Sequence, residues 1–242
     1  MNAIKTVKLT KKYKGVTAVD GLDLTVHEGE LFSLLGVNGA GKTTTIKMLS
    51  CLAKPTSGDA YLNGKSIVTD ASAVKSMIAV SPQETAVAPG LTVRENLALM
   101  CGVHGFTREK RERKIQELTS LLGLSEVLHK KAAKLSGGWQ RRLSIAMALI
   151  SEPRILFLDE PTLGLDVLAR SDLWELIRSL KGKVTILLTT HYMEEAEALS
   201  DRIAIMKDGK LLVCATADEI KAQAGVDKFE EAFVRIVKGV NL

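Results

Sequence analysis

Apolar residues alternate with polar residues, or cluster, in short stretches along the chain, and these stretches predict β-strands. Ala3–Leu9 and Ala18–Val26 partly alternate, which is typical of strands with one buried face. Leu31–Leu35 is an apolar run, interrupted only by Ser33, that leads into a glycine, which indicates a parallel strand buried on both faces. Further strands are predicted at Gly58–Leu62, Met77–Val80, Arg154–Leu158, Val184–Thr189 and Ile203–Met206.

Apolar residues at helical spacing occupy the stretches between these strands. The predicted helices are Thr43–Cys51, Thr92–Met100, Thr107–Leu122, Trp139–Ile150, Ala169–Leu180 and Met193–Leu199. Strands that alternate with helices indicate a mainly parallel sheet covered on both faces. The run of helices from about Gln83 to Glu152 predicts a helical insert, and the tail from Ala217 to Leu242 is predicted to be mostly helical.

The composition narrows the class of protein without deciding its function. The 242 residues are 46 % apolar and 25 % charged, as in ordinary globular proteins. The three cysteines lie far apart, which predicts reduced thiols and neither a disulfide framework nor a metal site. Every apolar run is shorter than the roughly 18 residues of a membrane-spanning helix, so no span is expected. The net charge of +5 permits a nucleotide, a nucleic acid or an anionic membrane surface as partner.

A glycine-rich loop follows the apolar strand Leu31–Leu35. Gly36–Thr43 fits the pattern G-x-x-x-x-G-K-[ST], in which backbone N–H groups surround a phosphate and the next helix directs its N-terminus at it. Lys42 is predicted to reach the β- and γ-phosphates of ATP, and the Thr43 hydroxyl to bind Mg²⁺. The predicted nucleotide contacts of this segment are Gly36, Asn38, Gly39, Ala40, Gly41, Lys42, Thr43 and Thr44.

Two acidic residues follow a second apolar strand. Asp159 and Glu160 come directly after Ile155–Leu158, and parallel strands deliver their carboxyl ends to the sheet edge where the phosphate loop also lies. Asp159 is predicted to hold Mg²⁺, and Glu160 to act as the general base on the attacking water. The alternative is an exposed acidic turn that caps the next helix.

Leu135, Ser136, Gly137 and Gly138 open the predicted helix that continues through Trp139. Together with the loop and the strand-end acids, this segment resembles the signature of the ATP-binding-cassette (ABC) ATPase family, and the motifs occur in the family's order. The resemblance covers most of the chain. It implies an α/β fold: a P-loop NTPase core with a mainly parallel sheet, an antiparallel β subdomain at the N-terminal side and an inserted α-helical subdomain. Residues 1–83 and 153–216 would form the core, 84–152 the helical subdomain and 217–242 a helical tail of one domain.

The same resemblance assigns roles to further residues. Tyr13 resembles the aromatic residue that stacks on adenine, and Gln83 the glutamine that contacts the metal and the water. Asp166 resembles a residue of the loop that crosses between subunits, and His191 the switch histidine at the γ-phosphate. Glu160, His191 and Gln83 are thus the predicted catalytic residues, and the predicted metal ligands are Thr43, Gln83 and Asp159.

A second chain is implied by Ser136, Gly137 and Gly138. In the family, the phosphate loop and the signature face opposite ways, so two cassettes pack head to tail and each ATP lies between Lys42 of one chain and Ser136 of the other. Both a homodimer and a heterodimer stay open. Trp139 departs from the glutamine or methionine usual after the signature, and the tightness of the dimer is the property that this departure affects.

The resemblance also implies a membrane partner. Glu84–Gly90 and Leu91–Leu97, with Thr92 as a helix N-cap, resemble the surface that receives a permease, although an ordinary surface loop is the alternative. The segments Thr189–Glu197 and Phe229–Arg235 resemble cassettes of prokaryotic drug, antibiotic and sodium exporters. The chain is therefore expected to drive export from the cytoplasmic face of the cell membrane, as a peripheral subunit without nucleic acid. The other hypothesis is a soluble cassette that acts on nucleic acid, ribosomes or cluster assembly.

Overall fold

The computed structural model describes residues 1–239, so Val240, Asn241 and Leu242 of the predicted tail lie outside the described residues. Its strands are β1 (Asn2–Tyr13), β2 (Val16–Leu22), β3 (Thr25–His27), β4 (Leu31–Gly36), β5 (Ser57–Leu62), β6 (Lys65–Ser66), β7 (Ile78–Ser81), β8 (Ile155–Asp159), β9 (Thr185–Thr190), β10 (Arg202–Lys207) and β11 (Lys210–Ala215). Its α-helices are α1 (Lys42–Leu49), α2 (Ala71–Lys75), α3 (Val93–Val103), α4 (Arg108–Leu121), α5 (Gly137–Leu149), α6 (Val167–Leu180), α7 (Met193–Leu199), α8 (Ala217–Ala224) and α9 (Phe229–Lys238).

The larger sheet has the strand order β11-β10-β4-β9-β8-β7, and its strands from β10 to β7 are parallel. Every residue of β4, β8 and β9 is buried. Helices α3 to α6 cover one face of the sheet, and α1 together with β1, β2 and β5 covers the other. The parallel register brings the carboxyl ends of β4, β8 and β9 to one edge, at Gly36, Asp159 and Thr190. The prediction of a mainly parallel sheet is therefore confirmed.

Strand β11 was not predicted, and it makes the edge of the larger sheet antiparallel. Asp208 and Gly209 join it to β10 with φ angles of 49° and 78°. Positive φ at both central residues is the geometry of a type I′ hairpin turn, for which Asp-Gly is a favoured pair. The short elements β6 and α2 were also missed.

The smaller sheet is antiparallel and lies at the N-terminal side of the chain, as expected. Its order is β2-β1-β5-β6, and β3 also pairs with β1. The prediction of one strand over Ala18–Val26 is wrong, because the ladder is interrupted between β2 and β3. There the Thr6 hydroxyl bonds to Leu22 O at 2.7 Å and accepts from Leu24 N at 2.8 Å, while Lys8 N donates to an Asp23 carboxylate oxygen at 2.7 Å. These side chains take over the backbone bonds of a continuous strand.

Helices α3, α4 and α5 fill the segment between β7 and β8, where the helical insert was predicted. Thr92 is the N-cap of α3, as predicted, and it forms a capping box with Glu95. The apolar faces of these helices share one core with α6 and with the adjacent face of the larger sheet. No helix in the described part of the chain has both the length and the apolar character that crossing a membrane requires.

The tail packs on the far end of the larger sheet. Phe229, Phe233 and Ile236 of α9 form a buried cluster with Ile203 and Ile205 of β10. These three residues lie on the core-facing side of α9, and the prediction of a helical tail is confirmed up to Lys238.

Candidate nucleotide-binding and catalytic site

The phosphate loop leads from the end of β4 into the first turn of α1. Gly41 is the residue before the helix and has a φ of 102°, and a Cβ atom there would lie 2.4 Å from the carbonyl oxygen of Ala18. Only glycine fits this backbone, because a side chain would be strained and would collide with β2. The Lys42 ammonium folds back over the loop and donates to the carbonyls of Gly36 at 2.7 Å and Val37 at 3.3 Å. A positive charge is thus held where the loop would receive an anion.

Asp159 ends β8 beside the loop. One of its carboxylate oxygens accepts from the Thr43 hydroxyl at 3.2 Å and from the Thr189 hydroxyl at 2.5 Å. Carboxylate and hydroxyl oxygens are hard ligands of the kind Mg²⁺ prefers, and this ion usually needs only one or two carboxylates when phosphates complete its shell. The pair Thr43 and Asp159 therefore suits the predicted metal position.

Glu160 directly follows Asp159 and is buried. Its backbone has a φ of 49°, and its N–H donates to the carbonyl and hydroxyl oxygens of Thr189, both at 3.1 Å. One carboxylate oxygen lies 3.4 Å from the Lys42 ammonium, and the other is hydrogen-bonded to Nδ1 of His191. The residue is therefore not an exposed acid that caps the next helix, which was the alternative.

These groups surround one cleft of about 600 Å³. The residues that line it are Ala18, Asn38, Gly39, Ala40, Gly41, Lys42, Thr43, Thr44, Gln83, Glu160, Leu163 and His191. The structure thus brings together most of the residues predicted to contact nucleotide with the three predicted catalytic residues. Ala18 and Leu163 were not predicted.

The residues predicted to contact nucleotide that do not line this cleft are Tyr13, Gly36, Ser136, Gly137, Gly138 and Asp166. Tyr13 is the last residue of β1 and is 45 % exposed, and the Lys11 ammonium lies 4.9 Å from its ring centroid. Asp166 is the N-cap of α6 and accepts from Ala169 N at 2.9 Å. The nucleotide contacts predicted for these residues, and for those that line the cleft, stay predictions.

Ser136, Gly137 and Gly138 lie at the start of α5. Ser136 is an exposed N-cap, and its side chain makes no capping bond to the helix in the part of the chain that the structure describes. The two glycines face α6, since a Cβ on Gly137 would lie 3.3 Å from Leu165 and one on Gly138 would lie 3.2 Å from the Cβ of Ala169. Because glycine has no side chain, α5 can pack closely against Leu165 and the start of α6.

Two groups beside the cleft were missed by sequence reasoning. The Arg141 guanidinium donates to the carbonyls of Pro82 and Gln83, each at 2.7 Å. Thr189, as described above, bonds both Asp159 and Glu160. Its position two residues before His191 is a signal that could have identified it, whereas the partners of Arg141 are backbone atoms, which leave no mark in the sequence.

Glu195 of α7 is a fully buried carboxyl. The Trp174 indole N–H donates to one of its oxygens at 3.1 Å. Burial is the main cause that raises the pKa of Glu195 above its ordinary value, and the charge of Glu160 adds to this effect, while the nearby hydroxyls of Thr190 and Thr162 and the bond from Trp174 oppose it. The neutral form of the carboxyl is therefore favoured.

The comparison with known proteins decides the family. The family described as ABC transporter matches residues 19–163, which include the phosphate loop, the signature segment and the strand-end acids. The chain belongs to the ABC transporter family. The prediction made from the motifs is thus confirmed, as is the fold class that the resemblance implied.

Similar proteins support the same assignment. The chain is 41 % identical over 224 residues to the daunorubicin/doxorubicin resistance ATP-binding protein DrrA of Streptomyces peucetius, covering 92 % of this chain and 68 % of that protein. A solved ATP-binding subunit of an ABC transporter matches with a TM-score of 0.84 and 30 % identity, over 97 % of this chain and 99 % of the other. A dimeric cassette in a post-hydrolysis state with ADP and Pi matches with a TM-score of 0.77 and 29 % identity, over 88 % and 98 %.

This ABC cassette is the ATP-binding subunit of a transporter and an ATPase. Cassettes of the family dimerise and work with membrane subunits. The other hypothesis, a soluble cassette outside transport, gains no support from the relatives.

Proposed function

We propose that this cassette hydrolyses ATP with Glu160 as general base and that it drives an exporter. The supporting observation is the position of the Glu160 carboxylate, which is held between the Lys42 ammonium and the His191 ring in the cleft of the phosphate loop. A buried carboxylate held at both of its oxygens has a fixed direction, which a base needs if it is to meet one particular water.

ATP binding would use the loop and its lysine. The N–H groups of Gly36–Thr43 and the N-terminus of α1 would surround the phosphates, and Lys42 would exchange its carbonyl partners for phosphate oxygens. Thr43, Asp159 and Gln83 would hold Mg²⁺, which when bound neutralises charge on the phosphates. Tyr13 would stack on adenine.

Hydrolysis would need one proton transfer to the protein. The water oxygen attacks the γ-phosphorus, the bond from that phosphorus to the oxygen of ADP breaks, and the proton of the water passes to Glu160. His191 would hold Glu160 in place and contact the γ-phosphate. Lys42 would stabilise the negative charge that grows on the phosphate oxygens.

The second half of each site would come from another copy of the chain. Ser136, Gly137 and Gly138 lie at the start of a helix and outside the cleft of their own chain. Ser136 and Gly137 are exposed and Gly138 is half-buried, so this helix start is open to the ATP of a partner in a head-to-tail dimer. Asp166 would cross between the chains beside them. The match to a solved dimeric cassette with ADP and Pi supports this arrangement.

Export is favoured by the relatives. DrrA is named for resistance to daunorubicin and doxorubicin, and it shares 41 % identity with this chain. Residues 84–97 would receive the permease, because this segment adjoins Gln83 and includes an exposed loop before the capped start of α3. The cassette would accordingly sit at the cytoplasmic face of the membrane as a peripheral subunit.

Complementation between two inactive variants tests the shared site. Lys42→Ala disables the phosphate loop, and Ser136→Arg disables the signature, so each variant alone has no complete site. A mixed dimer has one complete site, and the mixture should hydrolyse ATP faster than either variant alone. If the mixture is no more active than the average of the two variants, the head-to-tail homodimer is wrong.

A further inference from the structure

Arg141 connects the signature helix to the segment that carries Gln83. It lies on the first turns of α5, and only 5 % of its surface is exposed. Its two terminal nitrogens donate to two successive carbonyls, Nη1 to Pro82 O at 2.7 Å and Nη2 to Gln83 O at 2.7 Å. The guanidinium thus holds the backbone of Pro82 and Gln83 in place, and Gln83 lines the cleft.

A second bond joins the same two elements. Ser144 lies three residues after Arg141 on the same face of α5, and its hydroxyl is 3.0 Å from the hydroxyl of Ser81 at the end of β7. Residues 81–83 are therefore tied to α5 at three successive positions. The bonds of Arg141 act on Pro82 and Gln83, and the bond of Ser144 acts on the strand before them.

The surroundings of Arg141 require a guanidinium. Two adjacent carbonyls match the planar fork of arginine, whereas a lysine ammonium is a point donor that does not reproduce the fork. Burial lowers the pKa of the Arg141 guanidinium, and the carboxyls of Asp159 and Glu195 act against this. A guanidinium keeps its charge even when it is buried, and hydrogen bonds from a charged donor are stronger than those from a neutral one.

We propose that Arg141 is a positioning residue for hydrolysis, which sets the place of Gln83 in the cleft according to the position of α5. This rests on the proposed role of Gln83 at the metal and the water. Because α5 begins at Ser136 and Gly137, the residues that would meet the partner's ATP, a shift of α5 would carry Gln83 with it. Arg141 thereby links the ATP of the partner chain to the ATP of its own chain.

A double-mutant cycle tests this link. Arg141→Lys keeps a charge near Asp159 and Glu195 but loses the fork, and it should lower kcat by about tenfold to a hundredfold while the Kd for AMP-PNP with Mg²⁺ changes less than about twofold. In a Gln83→Ala background the same substitution should change kcat by less than about twofold, because the residue through which Arg141 acts is gone.

Two readouts separate positioning from general support of the fold. In hydrogen exchange, Arg141→Lys should raise exchange in residues 82–91 and leave α5 unchanged. Arg202→Lys is the matched control, since Arg202 also bonds a backbone carbonyl and a carboxylate, Thr25 O at 3.2 Å and Glu30 at 3.3 Å, but at the opposite end of the sheet. It should leave kcat unchanged.

The outcomes are distinct. Equal losses from Arg141→Lys in the wild-type and Gln83→Ala backgrounds would overturn the link and leave the proposed function intact, as would a wild-type kcat in Arg141→Lys. A wild-type kcat in Gln83→Ala alone would instead remove the role of Gln83 from the proposed function, and this inference with it. Absence of ATP hydrolysis by the unmodified chain would overturn the proposed function itself.

Discussion

The Glu160 carboxylate is hydrogen-bonded to Nδ1 of His191, and the two residues follow the neighbouring parallel strands β8 and β9. The sequence around Glu160 or around His191 does not by itself bring the two side chains together. Asp159 of β8 is paired with Thr189 of β9, and this register places the two strand ends side by side. The contact between Glu160 and His191 therefore exists only when the sheet is formed. Any test of the base therefore also tests the geometry of this sheet edge.

Glu160→Gln should bind ATP and hydrolyse it at least about a hundredfold more slowly, because an amide cannot take the proton of the water. The variant should also accumulate as a dimer with ATP, measured by light scattering after size exclusion. Glu175→Gln, on the exposed side of α6, is the control. A normal turnover rate in Glu160→Gln would show that another group is the base.

Lys42→Ala should lose affinity for ATP, because it removes the cation that the loop holds over its carbonyls. A loss of about tenfold or more in Kd is expected, which corresponds to roughly 1.4 kcal/mol. Titration calorimetry with AMP-PNP and Mg²⁺ measures it. Lys47→Ala removes an exposed lysine of the same helix and should bind as the wild type does; an unchanged Kd in Lys42→Ala would contradict the assignment of the loop.

Glu195→Gln should make the free energy of unfolding less dependent on pH. Burial raises the pKa of Glu195 in the folded chain, so folding takes up a proton between its ordinary value of 4.5 and the raised value. The stability of the wild type therefore falls as pH rises through that interval, and the amide removes this loss. Urea unfolding at pH 5 and pH 8 measures it, and the exposed neighbour Glu194→Gln should keep the wild-type dependence.

Thr92→Ala should destabilise the fold by about 1 kcal/mol, because it removes the capping box with Glu95 at the start of α3. Thr216→Ala removes an equivalent box with Glu219 at α8, in the tail, and should cost a similar amount in urea unfolding. Only Thr92→Ala should weaken the response of ATPase activity to the permease. Equal responses from both variants would argue against residues 84–97 as the permease surface.

The sequence predicted the elements whose residues are all buried. Leu31–Leu35 and Ile155–Leu158 have no polar residue except Ser33, so they fit only the interior of a sheet, and the phosphate loop and the acids follow from where they end. The break between β2 and β3 was missed because it depends on the Thr6 hydroxyl, which comes from another strand. Strand β11 could have been found from Asp208 and Gly209, a turn pair that follows an apolar run.

The residues of the candidate site that belong to sequence motifs were predicted, and the residues outside the motifs were not. The order of the loop, Gln83, the strand-end acids and His191 is a property of the chain, and the fold brings these residues to one cleft. Arg141 lies within the predicted helix Trp139–Ile150, but its role was not predicted, because its bonds go to the carbonyls of Pro82 and Gln83. Every residue type has a backbone carbonyl, so the identity of a residue does not show that its carbonyl accepts a hydrogen bond from a distant side chain.

The close packing of Gly138 on Ala169 has a consequence for genetics. A methyl group added at Gly138 would lie 3.2 Å from the Cβ of Ala169, so Gly138→Ala should impair transport in the cell by forcing α5 and α6 apart. Deleting the opposing methyl group restores the space. Ala169→Gly is therefore the second-site suppressor to look for in a selection for regained transport, and a strain that carries it should tolerate changes in the signature that the original sequence does not.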